Sequence, residues 1–218
     1  MNKLFLLCQQ TQLLTKFSLL TLGTKELNEL SRKICKEDDE IAFSKLFNYL
    51  YDRLYVFANK FVQDKESSED IVADVFTKFW IGRKNTEIRN ILNYLYTSVY
   101  NASVSHLNNL TLHGRQVYLQ DIEIELEEYT FNPEVEMISN EEVTKINKAV
   151  AELPNQCRMI LFLVRENNMK YKEVAQVLGI SQKTVENQIN IALKKIAAYL
   201  QIETDPIKQK ALFVFMLA

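Results

Sequence analysis

The sequence predicts an all-α protein with two small helical domains joined by a linker. The chain has only four glycines and three prolines among 218 residues, which argues against a turn-rich β protein and for long helices. Apolar residues recur at intervals of three and four along much of the chain, which is the spacing of one helix face. This period is lost between residues 111 and 138, where we predict the linker.

The first domain, residues 25–110, is predicted to contain four helices, at residues 25–36, 41–62, 69–80 and about 88–108. The acidic run at residues 37–40 provides a cap and an acidic first turn for the second helix. Ser67 or Ser68 is the expected cap of the third helix. Residues 82–86, GRKNT, form a basic loop. The many aromatic residues of these helices indicate a packed core.

Outside the two domains we predict an N-terminal extension at residues 1–24, an acidic linker at 111–138 and an apolar tail at 203–218. Residues 121–142 contain nine acidic residues and no basic one. This is compatible with nucleic-acid binding by the more basic flanking domains, and equally with a solvated linker of no electrostatic role. The N-terminal apolar run is too short for a secretory signal or a membrane span. We expect the tail to pack on the protein; contact with a partner or a membrane surface is the alternative.

The second domain, residues 139–202, contains the pattern of a helix-turn-helix at residues 171–189. Gly179 is expected to end the first helix, because glycine adopts the left-handed turn conformation at low cost. Ser181 is a good N-cap for the second helix. The predicted inner faces consist of small or apolar residues: Val174, Ala175, Leu178, Val185, Ile189 and Ala192.

The outward residues at the start of the second helix are of types that hydrogen-bond to base edges and phosphates. They are Gln182, Lys183, Thr184, Glu186, Asn187 and Gln188. Residues 155–200 also hold seven basic residues against three acidic ones, so the segment is locally basic. These features predict a DNA recognition helix. An ordinary pair of crossing helices without DNA contact is the alternative.

The sequence predicts neither an enzyme nor a metal or cofactor site. No phosphate loop, catalytic carboxylate pair or nucleophile motif is recognisable. Cys8, Cys35 and Cys157 lie far apart, with no C-x-x-C and no histidine beside them, which makes a metal site improbable. Scattered thiols suit a reducing cytoplasm, where we expect the protein to reside.

Several stretches resemble those of a known family. AFSKLFNYLYDRLYVFANKFV, SEDIVADVFTKFW and ILNYLYTSVYN resemble region two of bacterial sigma factors. LPNQCRMIL and YKEVAQVLGISQKTVENQINIALKKI resemble region four. The order of the two regions and the short linker resemble the extracytoplasmic-function (ECF) group of that family. The apolar tail is similar to tails of such factors from Bacteroides-like bacteria.

The resemblance implies a transcription initiation factor with core RNA polymerase, promoter DNA and an anti-sigma factor as partners, and no small-molecule substrate. Polymerase contacts would include Asp70, Asp74 and Phe76. The minus-ten element would be met by Arg83, Lys84, Asn85, Arg89, Asn90, Asn93, Tyr96 and Asn101, with Tyr96 able to stack on an exposed base. The minus-thirty-five element would be met by Ser181, Gln182, Lys183, Thr184, Glu186, Asn187, Gln188 and Lys194.

Two other functions stay open from the residues alone. One is a helix-turn-helix regulator that binds operators without polymerase. The SEDIVADVFTKFW segment argues against it, since a plain repressor does not need a polymerase-binding helix. The other is a helical interaction module whose hairpin touches no DNA.

Overall fold

The computed structural model describes residues 22–85, 87–110, 140–165 and 169–201. Within these ranges every regular element is an α-helix, which confirms the all-α prediction. The helices are α1 (Thr24–Glu37), α2 (Glu40–Val62), α3 (Lys65–Gly82), α4 (Ile91–Leu110), α5 (Asn140–Ala151), α6 (Asn155–Arg165), α7 (Tyr171–Leu178) and α8 (Gln182–Tyr199).

The chain divides into two compact units between Asn109 and Leu110. Helices α1–α4 belong to the first unit and α5–α8 to the second. The predicted acidic linker, nearly all of the N-terminal extension and the apolar tail lie outside the described residues. In the part of the chain that the structure describes, no helix is both long and apolar enough to cross a membrane.

Aromatic side chains form the centre of the first unit, where α2 packs between α1 and α3. The ring of Phe43 on α2 lies 6.1 Å from that of Phe76 and 4.8 Å from that of Trp80, both on α3. Farther along α2, the ring of Phe57 lies 5.0 Å from that of Tyr96 on α4. Such tilted and edge-on pairs add to the stabilisation from burial alone, by about 0.5–1.5 kcal/mol each.

Helix α3 begins four residues earlier than predicted, and its cap is neither serine. Asp64 is the N-cap, and its carboxylate accepts the backbone N–H of Ser67 at 2.8 Å. Ser68 is buried, and its hydroxyl donates to the carbonyl of Asp64 at 2.7 Å. A carboxylate at this position satisfies a free N–H of the first turn and also favours the positive end of the helix dipole.

Helix α4 begins three residues later than predicted, because two asparagines fix its first turn. The Asn90 side chain accepts the N–H of Asn93 at 3.1 Å, as an N-cap does. Asn28 on α1 accepts the N–H of Ile91 at 3.0 Å. The start of α4 is thereby joined to a helix that lies 63 positions earlier.

The helix-turn-helix of the second unit forms as predicted. Gly179 ends α7 with a left-handed φ of 65°, and the N–H of Ile180 donates to the carbonyl of Ala175 at 3.0 Å. The Ser181 hydroxyl accepts the N–H of Thr184 at 3.0 Å and caps α8. Helices α5, α6 and α7 all pack on α8. The buried stripe of α8 includes the predicted residues Val185, Ile189 and Ala192.

Candidate nucleic-acid interface

The N-terminal half of α8 presents a polar surface to solvent. Of the residues predicted there, four are exposed (Ser181, Gln182, Lys183 and Asn187), and Thr184 and Glu186 are half-buried. Lys194, predicted farther along α8, is also exposed. Glu186 accepts from Gln182 at 3.2 Å, and its carboxylate lies 3.4 Å from the Lys183 ammonium. Contacts of this exposed kind contribute at most about 1 kcal/mol, so phosphates or base edges can replace them.

Two of these polar side chains serve the helix itself. The hydroxyls of Ser181 and Thr184 lie 2.8 Å apart, and that of Ser181 also caps the first turn. Both side chains therefore stabilise the first turn of α8. This leaves Gln182, Lys183 and Asn187 as the exposed side chains at the N-terminal end of this helix that do not cap it.

Gln188 does not point outward as predicted. It is half-buried, and both ends of its amide are engaged by α6. Its Nε2 donates to Oε1 of Gln156 at 3.0 Å, and its Oε1 accepts from the thiol of Cys157 at 2.7 Å. The expectation of a free base-reading amide at this position is wrong for this structure.

The basic loop after α3 is tied to the turn between α1 and α2. The Arg83 guanidinium lies 3.9 Å above the Trp80 ring, donates to the Trp80 carbonyl at 2.5 Å and pairs with Asp38 at 2.7 Å. Its side chain is only 17% exposed. Arg83 is thus held in the fold on three sides, which leaves little of it for a nucleic acid.

Lys84 in the same loop is more accessible, with a side chain 62% exposed. Its ammonium lies 2.5 Å from the other carboxylate oxygen of Asp38. Lys84 and Arg83 together hold the pKa of the Asp38 carboxyl below its ordinary value, so this aspartate is ionised at neutral pH. Asn85, next in the loop, is exposed.

The predicted minus-ten residues before and on α4 are divided between surface and interior. Arg89 and Asn101 are exposed, whereas Asn90 and Asn93 are half-buried. Tyr96 is completely buried against Phe57, and burial raises the pKa of its phenol. The prediction that Tyr96 stacks on an unpaired base is therefore wrong for this structure, because its ring belongs to the core.

The predicted polymerase contacts on α3 separate in the same way. Asp70 and Asp74 are exposed and lie four positions apart, which places them on one side of the helix. Phe76 is 2% exposed, and its ring lies 4.7 Å from that of Phe47. Phe76 is a core residue, so the prediction that it contacts polymerase directly is wrong for this structure.

Four residues contact the predicted site residues but were not themselves predicted to do so: Asp38, Trp80, Gln156 and Cys157. Asp38 belongs to an acidic run that the sequence pattern explains as a helix cap. Gln156 and Cys157 lie 32 and 31 positions before their partner Gln188. The spacing of apolar residues along a helix does not reveal which residues pair across such a distance in the sequence. Among the described residues, no group of three or more histidines, cysteines or acids could hold a metal ion.

Two family models match the chain, one described as Sigma-70 region 2 over residues 46–111 and one described as Sigma-70, region 4 over residues 144–196. The chain is similar to the ECF RNA polymerase sigma factor SigW of Bacillus subtilis (strain 168), with 21% identity over 169 residues. That match covers 72% of this chain and 88% of the relative.

A solved structure has a similar fold, that of CnrH in complex with the cytosolic domain of CnrY. It shares 21% identity and a TM-score of 0.50, and the match covers 81% of this chain and 97% of the other. The region 2 model falls on the unit with α3 and the basic loop, and the region 4 model on the helix-turn-helix unit.

Proposed function

We infer that this chain, which belongs to the sigma-70 family, is a sigma factor of the extracytoplasmic-function group that binds core RNA polymerase and directs promoter recognition and opening. The observation that carries the inference is the presence of both regions, in order, on two separate helical units. Such a protein is an initiation factor and not an enzyme.

We propose that polymerase binding uses the exposed side of α3 that carries Asp70 and Asp74. The aromatic residues on the buried side of α3, with Phe76 and Phe79 among them, anchor the helix to α2. The carboxylates of Asp70 and Asp74 therefore project from a helix that is held in place by its packing on α2. A basic surface on the polymerase would be their natural complement, since complementary charges steer association and fix the register of a complex.

The two DNA surfaces that we propose lie on different units. Lys84, Asn85, Arg89 and Asn101 form the exposed part of the minus-ten surface, and Gln182, Lys183, Asn187 and Lys194 form that of the upstream surface. Exposed lysine and arginine serve phosphates, while amides serve base edges. The first surface is suited to single-stranded DNA and the second, on a helix N-terminus, to a major groove.

We also propose an anti-sigma factor as a partner and the cytoplasm as the place of action. The solved relative CnrH was determined in complex with the cytosolic domain of CnrY, which supports a protein partner for this chain as well. Core polymerase and promoter DNA are cytoplasmic in bacteria, so a protein that binds both acts in that compartment. A Bacteroides-like origin stays a prediction from the apolar tail.

The test of this function is co-elution with core polymerase. We expect the double variant Asp70→Lys, Asp74→Lys to lose most of its association, because attractive contacts become repulsive. Glu87→Lys, Glu152→Lys is the matched control, since it makes the same change of charge at two exposed acids outside α3. If wild type does not co-elute, the chain is a DNA-binding regulator or a helical interaction module. If both double variants lose association equally, total charge and not this side of α3 is responsible.

A further inference from the structure

A polar contact joins the DNA-facing helix α8 to the helix before the helix-turn-helix. The amide of Gln188 lies against two consecutive residues of α6, Gln156 and Cys157. Gln188 Nε2 donates to Gln156 Oε1 at 3.0 Å, and the Cys157 thiol donates to Gln188 Oε1 at 2.7 Å. Each end of the amide thus meets a partner of the correct type. We call these three residues the α6–α8 bracket.

The bracket is largely shielded from solvent within the second unit. Cys157 is buried, and Gln188 and Gln156 are half-buried. Burial raises the pKa of the Cys157 thiol, so the sulfur keeps its proton, and its role as donor, at neutral pH. These two hydrogen bonds are costly to break where they are shielded from water, because the buried thiol and the amide atoms that face it would then lose their partners.

Apolar side chains of α8, such as Val185, Ile189 and Ala192, also pack on its neighbours. Close packing of these side chains sets the face that α8 buries, and the directional hydrogen bonds of the bracket add a constraint at Gln188. Gln188 follows directly on Asn187, which is exposed, and it lies five positions after Lys183. A rotation of α8 about its own axis would therefore move the side chains of Lys183 and Asn187 relative to a bound DNA groove.

We propose that Gln188 is a positioning residue that, with Gln156 and Cys157, fixes the rotation of α8, and that it does not read a base. The proposal rests on the proposed DNA-binding function of α8. A glutamine that reads adenine needs both its amide oxygen and its amide nitrogen. Here both ends of the amide are engaged by α6, and a base could take that same side of the amide only after two contacts within the protein had been broken.

The first test is a double-mutant cycle on unfolding of the full chain, which requires neither polymerase nor DNA. We expect Gln156→Ala and Gln188→Ala each to destabilise the second unit, and the double variant to be less destabilised than the two effects added together. Additive effects would mean that the two side chains do not act on each other, and would overturn the bracket.

The second test is transcription by reconstituted holoenzyme from promoters with a randomised upstream element. Gln156→Met removes the acceptor at similar length, whereas Gln156→Glu keeps an acceptor oxygen. We expect Gln156→Met to lower upstream-dependent transcription by about 2- to 10-fold, the range that one neutral hydrogen bond represents. Gln156→Glu should restore most of the loss. Gln188→Ala should resemble Gln156→Met in its effect on every template.

The comparison variant is Asn187→Ala, at the exposed neighbour. We expect it to change the preferred sequence at one position, as the loss of a base contact does. If Gln188→Ala alters preference at a single base pair while Gln156→Met behaves as wild type, Gln188 reads DNA and the proposal is wrong. If the cycle shows coupling but Gln156→Met transcribes normally, the bracket is structural only, and positioning is again refuted. If wild type fails to transcribe, the proposed function fails while the cycle still tests the bracket.

Discussion

A single carboxylate, that of Asp38, pairs with both cations of the basic loop, Arg83 and Lys84. Asp38 has a left-handed φ of 54° at the end of α1. Arg83 has further support from Trp80, whereas Asp38 is the ion-pair partner seen for Lys84 in the described residues. A phosphate that binds Lys84 must therefore compete with Asp38.

We predict that Asp38→Asn raises the affinity of the holoenzyme for a minus-ten promoter fragment about 2- to 5-fold at low salt, because one competing charge is removed. The gain should shrink as salt rises. Filter binding at two salt concentrations measures both effects. Glu66→Gln is the control, since it removes an exposed charge from the first turn of α3, at the end of that helix opposite the basic loop. Weaker binding by Asp38→Asn would show that Asp38 positions the loop and does not compete with DNA.

The same contact depends on pH in a definite direction. Because the folded-state pKa of Asp38 is lowered, its contribution to stability is complete above the ordinary carboxyl pKa and is lost as the pH falls through the lowered one. Near neutral pH the aspartate is ionised. At neutral pH the Asp38→Asn variant therefore differs from wild type by one full negative charge at this position.

At the scale of the elements, short polar side chains set the helix boundaries. Asp64 and Asn90 provide caps that begin α3 and α4. For α3 we predicted Ser67 or Ser68 as the cap, and the structure has Asp64 instead. All three side chains can cap a helix, and hydrophobic periodicity does not distinguish among them. Glycine is less ambiguous, and the end of α7 at Gly179 and the start of α8 after Ser181 could both be predicted.

Helix α8 contributes a prediction on Lys183, whose side chain is 77% exposed. If its ammonium holds a phosphate, Lys183→Ala should weaken binding to all upstream sequences alike and reduce the salt dependence of log K by about one unit. Lys145→Ala is the control, because it removes an exposed lysine from α5, outside the helix-turn-helix. A change of preference at one base pair would indicate that Lys183 reads a base edge.

At the scale of the whole molecule, the sequence predicted the helices and their order better than their contacts with one another. A repeat of three and four residues reveals which face of a helix is buried. It does not reveal the partner, so Tyr96 and Phe76 were expected at interfaces although both belong to the core. Likewise, the Asp38–Arg83 pair spans 45 positions, and its recognition requires the folded chain.

The division into two units, each with its own core, predicts that reading of the upstream element and polymerase binding can be separated by one substitution in α8. Val185 is fully buried, and Val185→Asp would place an unpaired carboxylate in the core of the second unit. The free energy of unfolding of a small domain is about 5–15 kcal/mol. The cost of burying this carboxylate is a large part of that total. The second unit should unfold, while the aromatic core of the first unit remains.

We therefore expect Val185→Asp to lose part of the helical circular dichroism signal and all preference for the upstream element, yet still to co-elute with core polymerase through Asp70 and Asp74. Asn187→Asp is the matched control, because it adds the same charge at an exposed position two residues away. It should keep the full helical signal. If Val185→Asp also abolishes co-elution while the first unit stays folded, the second unit supplies the main polymerase contact, and the role assigned to α3 must be reduced.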